Sequence, residues 1–129
     1  MRLTVAFLRL IRLPNLLFIA LTQLLFQFCI YKPIYGAGVF PKDTLQLILI
    51  MAASLLIAAA GYIINDYFDI NIDEVNKPHK MVLDKVINRR WAIAWHFILS
   101  TAGIILTIIA LPFFRYPHLV MANIFCVMM

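Results

Sequence analysis

Three runs of this chain, residues 13–31, 44–65 and 91–114, contain no charged side chain. Each is close to the ~20 residues that an α-helix needs to cross a bilayer. Water cannot satisfy backbone N–H and C=O groups inside a hydrocarbon core, so each run must bond internally as a helix. With 64% of its 129 residues hydrophobic, 13% charged and a mean hydropathy of +0.94, the chain lies far outside the range of soluble domains. A fourth apolar stretch, 116–129, falls short of a core about 30 Å thick at ~1.5 Å per residue, so it is read as the start of an incomplete helix. The expected fold is therefore all-α, a polytopic transmembrane helix bundle with three full helices and part of a fourth.

The net charge of +5 is a topology signal. Arg2, Arg9 and Arg12 precede the first apolar run, and Lys77, Lys80, Lys85, Arg89 and Arg90 lie between the second and third, leaving Lys32, Lys42 and Arg115 for the other side. This asymmetry in short loops places the N-terminus and the 66–90 loop in the cytoplasm, with the plasma (inner) membrane as the expected location. No basic stripe interleaved with aromatics is present, so no nucleic-acid partner is expected. The lead-in MRLTVAFLRLIR has no small-residue cleavage site after it and reads as an amphipathic segment at the membrane interface. Trp91 and Trp95 suit interfacial anchoring, as do Tyr31 and Tyr35. Cys29 and Cys126, in apolar surroundings, are expected to be buried thiols.

The second run ends in the densest cluster of oxygen ligands in the chain, GYIINDYFDINIDEVNKPHK, residues 61–80. Asn65, Asp69 and Asp73 are spaced i, i+4, i+8, and Asp66 lies three residues before Asp69. If the helix continues past the membrane, at 3.6 residues per turn the first three share one slowly drifting stripe. Such hard oxygen donors suit Mg²⁺, which keeps several waters and is typically bound through carboxylates together with substrate phosphates. Without a cation the carboxylates would repel one another at the edge of a low-dielectric region. Pro78 biases Lys77 away from helical geometry, so the chain is expected to turn there. Lys77 and Lys80 could then neutralise a diphosphate, although lysines after a transmembrane helix equally serve as a solvated connector. An EF-hand is excluded, because Glu74 stands where its loop needs glycine and Lys80 where it needs a bidentate glutamate.

Elsewhere, Ala52, Ala53, Ser54, Ala58, Ala59, Ala60 and Gly61 would let neighbouring helices approach the second run closely. Asn15, Thr22, Gln23 and Gln27 give the first run a polar edge, suited to interhelical hydrogen bonds or to substrate contact. His96 and His118 read as packing or interfacial histidines.

Asn65 to Asp73, in the pattern N-D-x-x-D-x-x-x-D, followed by Asn76-Lys77-Pro78 and Lys80, resembles the first aspartate-rich motif of the UbiA superfamily of intramembrane prenyltransferases. The stretch AAGYIINDYFDINID is most similar to the branch that includes digeranylgeranylglyceryl phosphate synthases. The resemblance implies that residues 1–129 are the N-terminal part of one UbiA-like domain around a cavity open to lipid. It implies transfer of a prenyl group from a prenyl diphosphate to a lipophilic acceptor. Asn65, Asp69 and Asp73 would hold Mg²⁺, with Asp66 as a nearby support of the metal site; Asp69 and Asp73 would be the catalytic pair. Lys77 and Lys80 would bind the leaving diphosphate, and Asn15 falls in a region that lines the pocket. The family carries a second aspartate-rich motif, commonly D-x-x-x-D, in a later cytoplasmic loop that these 129 residues do not reach, so the alternative expectation is a half-site, or another non-catalytic membrane protein, that binds Mg²⁺-diphosphate or cations without turnover.

Overall fold

The computed structural model describes residues 3–35, 41–70, 72 and 87–110, and the elements among them are helical. Helix α1 spans Leu3–Leu10. Helix α2 spans Leu13–Phe26 and continues through a π-helical turn, Gln27–Tyr31, into the short α3, Lys32–Tyr35. Helix α4 is the long one, Pro41–Phe68, and α5 spans Arg89–Ala110. The segments Leu13–Ile30, Thr44–Phe68 and Arg89–Ala110 are each long and apolar enough to cross a membrane. The chain is an integral membrane protein with an all-helical fold. The expected fourth stretch at 116–129 lies outside the described residues, as do the side chains of Tyr31 and Tyr35.

Helices α4 and α5 form the tightest pair. Lipid tails are as apolar as leucine, so between membrane helices close packing replaces the hydrophobic effect as the source of cohesion, and small residues permit it. The inward line of α5 is Ala92, Ser100, Gly103, Thr107 and Ala110, all buried. Across from it α4 buries Ala53, Ala59, Ala60 and Ile63. Gly61, by contrast, is exposed and has nothing within 4 Å of where a Cβ would stand. The expected close approach therefore uses Ala53, Ala59 and Ala60. The hydroxyls of Ser54 and Thr107 donate back to Ile50 and Gly103 carbonyls of their own helices, at 2.9 Å each.

A side-chain bond crosses the pair: His96 donates through Nδ1 to the Ala60 carbonyl, 3.0 Å away. His96→Phe is expected to keep most of the ring packing and to lose about 0.6–2 kcal/mol, the span of values found for interhelical hydrogen bonds in membranes. Reversible unfolding in mixed detergent would measure that loss.

Helix α1 folds back over the end of the α4–α5 pair. Its Ala6 and Leu10 are 0% and 1% exposed, in a cluster with Ile63, Ile70, Ile87 and Ala92, flanked by Phe7, Ile11, Tyr67 and Leu99. The Phe7 ring stands 5.1 Å from that of Trp95. Trp95 thus holds α1 as well as facing outward, while Trp91 is 61% exposed. Leu3, Val5 and Leu8 remain exposed on the outer face of α1, so the amphipathic lead-in is apolar towards both the protein and its surroundings. Helix α5 starts on an Asn88 cap: the Asn88 Oδ1 accepts from the Arg90 N–H at 3.1 Å, as an asparagine at N-cap does for the second helical residue.

Cys29 corrects one expectation. It is free and exposed on the π-helical turn, so apolar neighbours in sequence do not bury it within these helices. Cys126 and His118 lie outside the described residues.

Candidate functional site

The site is built on the last two turns of α4. The helix runs on to Phe68, beyond the charge-free run, and the Asp69 N–H still donates to the Asn65 carbonyl at 3.0 Å. That bond carries helical spacing through the start of the motif. Ile63, Tyr67 and Ile70 take the face that packs under α1. At ~100° per residue, Asn65 and Asp69 then fall on the opposite side, and Tyr62 and Asp66 lie beside them. The same periodicity that buries the isoleucines turns the oxygen ligands outward.

The structure brings Asn65 and Asp69 together. Asn65 Nδ2 donates to Asp69 Oδ2 at 3.1 Å, so the amide and the carboxylate occupy one small volume. Asn65 is exposed and Asp69 half-buried. An amide oxygen and a carboxylate one turn apart are a donor set of the right hardness for Mg²⁺, with open positions left for waters and phosphate oxygens. Among the described residues no three His, Cys, Asp or Glu side chains converge, and the expected third ligand of the stripe, Asp73, lies outside them. Lys77 and Lys80 do as well.

Asp66 has a different partner. Its Oδ1 accepts from Arg12 Nη2 at 2.7 Å, a salt bridge between groups 54 residues apart, with side chains 27% and 43% exposed respectively. The same guanidinium lies over the Tyr62 ring, 5.2 Å from its centroid, within range of a cation–π contact. Arg12 is the elbow between α1 and α2, and its backbone is left-handed, φ 52° and ψ 56°. Sequence reasoning used Arg12 only as a topology charge. A signal was nonetheless present: an arginine beside the first membrane span belongs to the same membrane face as the acidic cluster, where a carboxylate is its natural counter-ion. Asn15, one turn further on, is exposed at the start of α2.

The polar edge of α2 leads elsewhere. Thr22 donates to the Ile19 carbonyl of its own helix at 2.8 Å. Thr22, Gln23 and Gln27 line a cleft of about 300 Å³ with Phe26, Leu47 and Ile50, and the buried Gln23 Oε1 has no partner among the described residues.

Residues 25–129 match the model of the UbiA prenyltransferase family. The chain belongs to that family. Its relatives include the digeranylgeranylglyceryl phosphate synthase of Hyperthermus butylicus, 33% identical over 81% of this chain and 33% of the relative. The synthases of the same name from Methanoregula boonei and Sulfurisphaera tokodaii are 40% and 42% identical, each over 50% of this chain and 23% of the relative. The matched part of this UbiA-family chain thus covers a third or less of the length of these curated relatives. No solved structure gives a significant match. The family match includes the whole motif and begins after Arg12 and Asn15, so the contacts of α1 and of the elbow stand on the structure alone.

Proposed function

We propose that this chain forms the Mg²⁺- and diphosphate-binding portion of a prenyltransferase that moves a prenyl group from a prenyl diphosphate to a lipophilic acceptor inside the membrane. The observation that carries the reading is the pairing of Asn65 with Asp69 at the polar end of an apolar membrane-spanning helix. A prenyl diphosphate is itself apolar along most of its length and highly charged at one end. At this boundary its tail stays among helices while its head meets oxygen ligands and cations.

In this reading Asn65, Asp69 and Asp73 hold Mg²⁺ on the diphosphate, and Lys77 and Lys80 carry the remaining negative charge. The metal would supply charge neutralisation of the departing diphosphate. Cleavage of the allylic C–O bond leaves a carbocation on the prenyl group, so the apolar walls serve by excluding water, and the fixed charges serve by stabilising what leaves. The excess of basic residues around the motif supports a cytoplasmic location for this end. The names of the relatives favour an acceptor of the glycerol phosphate lipid class.

Calorimetric titration of the detergent-solubilised chain with a non-hydrolysable prenyl thiodiphosphate tests the binding step. Saturable heat is expected with Mg²⁺ present, its loss on adding EDTA, and its return with excess Mg²⁺. Binding indifferent to EDTA would overturn the metal reading. Binding without product on a cleavable donor would support the alternative, a half-site that holds Mg²⁺-diphosphate without turnover.

A further inference from the structure

We propose that Arg12 is a positioning residue of this site: it holds the Asp66 carboxylate out of the metal-ligand set, leaving the cation to the stripe that Asn65 and Asp69 begin. The inference rests on the metal reading above and refines which carboxylate does what. Asp66 and Asp69 are three residues apart on one helix, and both belong to the acidic run that sequence alone would assign to the metal. Their side chains nevertheless face different partners, Asp69 towards Asn65 and Asp66 towards Arg12. A guanidinium donor at 2.7 Å occupies an oxygen that a cation would otherwise use.

Two features keep Arg12 in place, and a third shows that they offset a cost. Tyr62, one turn before Asp66, carries the guanidinium on its ring face. The anchoring of α1 through Ala6 and Leu10 fixes where the elbow can stand. The backbone of Arg12 is left-handed, a conformation that costs a side-chain-bearing residue about 1–2 kcal/mol and that helix ends usually assign to glycine. An arginine in a glycine position is offset by what its side chain contacts, and here those contacts are Asp66 and Tyr62. Coupled in this way, α1 reports on the motif: the lead-in cannot shift without moving the counter-ion of Asp66.

The test is a double-mutant cycle read by Mn²⁺ affinity, measured by electron paramagnetic resonance of the free ion, with no substrate present. Arg12→Gly removes the side chain while easing the left-handed backbone, so loss of fold is not built into the variant. With the guanidinium gone, the Asp66 oxygen it occupied opens to the cation and a positive charge leaves the neighbourhood of the metal, so Arg12→Gly is expected to bind Mn²⁺ roughly fivefold more tightly. Asp66→Asn should change affinity less than about twofold where Arg12 is present and on the order of tenfold where residue 12 is glycine, the non-additivity that marks coupled partners. Arg12→Lys keeps the charge but loses the planar stacking on Tyr62, so its affinity should fall between those of the wild type and Arg12→Gly.

Weaker Mn²⁺ binding in Arg12→Gly, or equal effects of Asp66→Asn in the two backgrounds, would overturn the inference and leave the metal reading standing. Failure of the wild-type chain to bind Mn²⁺ would overturn both.

Discussion

Replacing Asp69 by asparagine is expected to weaken Mg²⁺-dependent binding of a prenyl diphosphate by at least about 100-fold, close to the ~3 kcal/mol that truncating one partner of a close charge pair costs. The substitution keeps the shape of the side chain and its hydrogen bonding to Asn65. It removes only the charge that a divalent cation requires. Asp69 also lies at the helix end, half-buried, with its N–H bonded to the Asn65 carbonyl, so the backbone has no reason to move. Titration calorimetry measures the effect, and an unchanged far-ultraviolet circular dichroism spectrum separates it from misfolding. Affinity within threefold of the wild type would remove Asp69 from the metal site. Asp66→Asn is the informative contrast, since its carboxylate is engaged by Arg12 and its loss should matter far less in the wild-type background.

That contrast marks where sequence stops being informative. The two carboxylates are the same residue type in the same motif, and helical periodicity places both near one face. What separates them is a contact 54 residues away along the chain, made by an arginine whose backbone is left-handed. Nothing in local spacing announces either fact. The apolar spans, by contrast, were legible because the bilayer imposes a length and a polarity that no tertiary contact can relax. The Asn65–Asp69 pairing was legible for a related reason: once the helix continues to Phe68, one turn of separation puts both side chains in the same place. Cys29 shows the opposite failure. An apolar neighbourhood in a membrane sequence does not distinguish the interior from the lipid, and Cys29 is exposed. The small residues of α4 were visible as a cluster, yet which of them face α5 depended on rotation about the helix axis. Ala60 is buried, and its neighbour Gly61 is exposed.

The glycine that matters for packing is on the other helix, and it carries the second large effect. Gly103→Leu is expected to separate α4 from α5 and to destabilise the chain by more than about 3 kcal/mol, above the 1–3 kcal/mol usual for overpacking a well-filled contact, because backbone is involved. A Cβ on Gly103 would stand 2.7 Å from Ile57 Cγ1 and 3.2 Å from the Ala53 carbonyl oxygen. The first neighbour could yield by a rotamer change; the second belongs to the α4 backbone and could yield only if the helix moved. Even Gly103→Ala therefore forces a shift, and leucine, with three more carbons, cannot fit without opening the pair. The consequence reaches the site, since the His96–Ala60 bond lies two turns from Gly103 along α5 and holds α4 just before the motif begins. Unfolding in mixed detergent should show the loss of stability, and Mn²⁺ affinity should fall with it. Gly61→Leu, at an open position on the same pair of helices, should leave unfolding within about 1 kcal/mol of the wild type, apart from the gain in helix propensity that replacing glycine brings. If both leucine variants unfolded alike, the close approach at Gly103 would not be what holds α4 to α5.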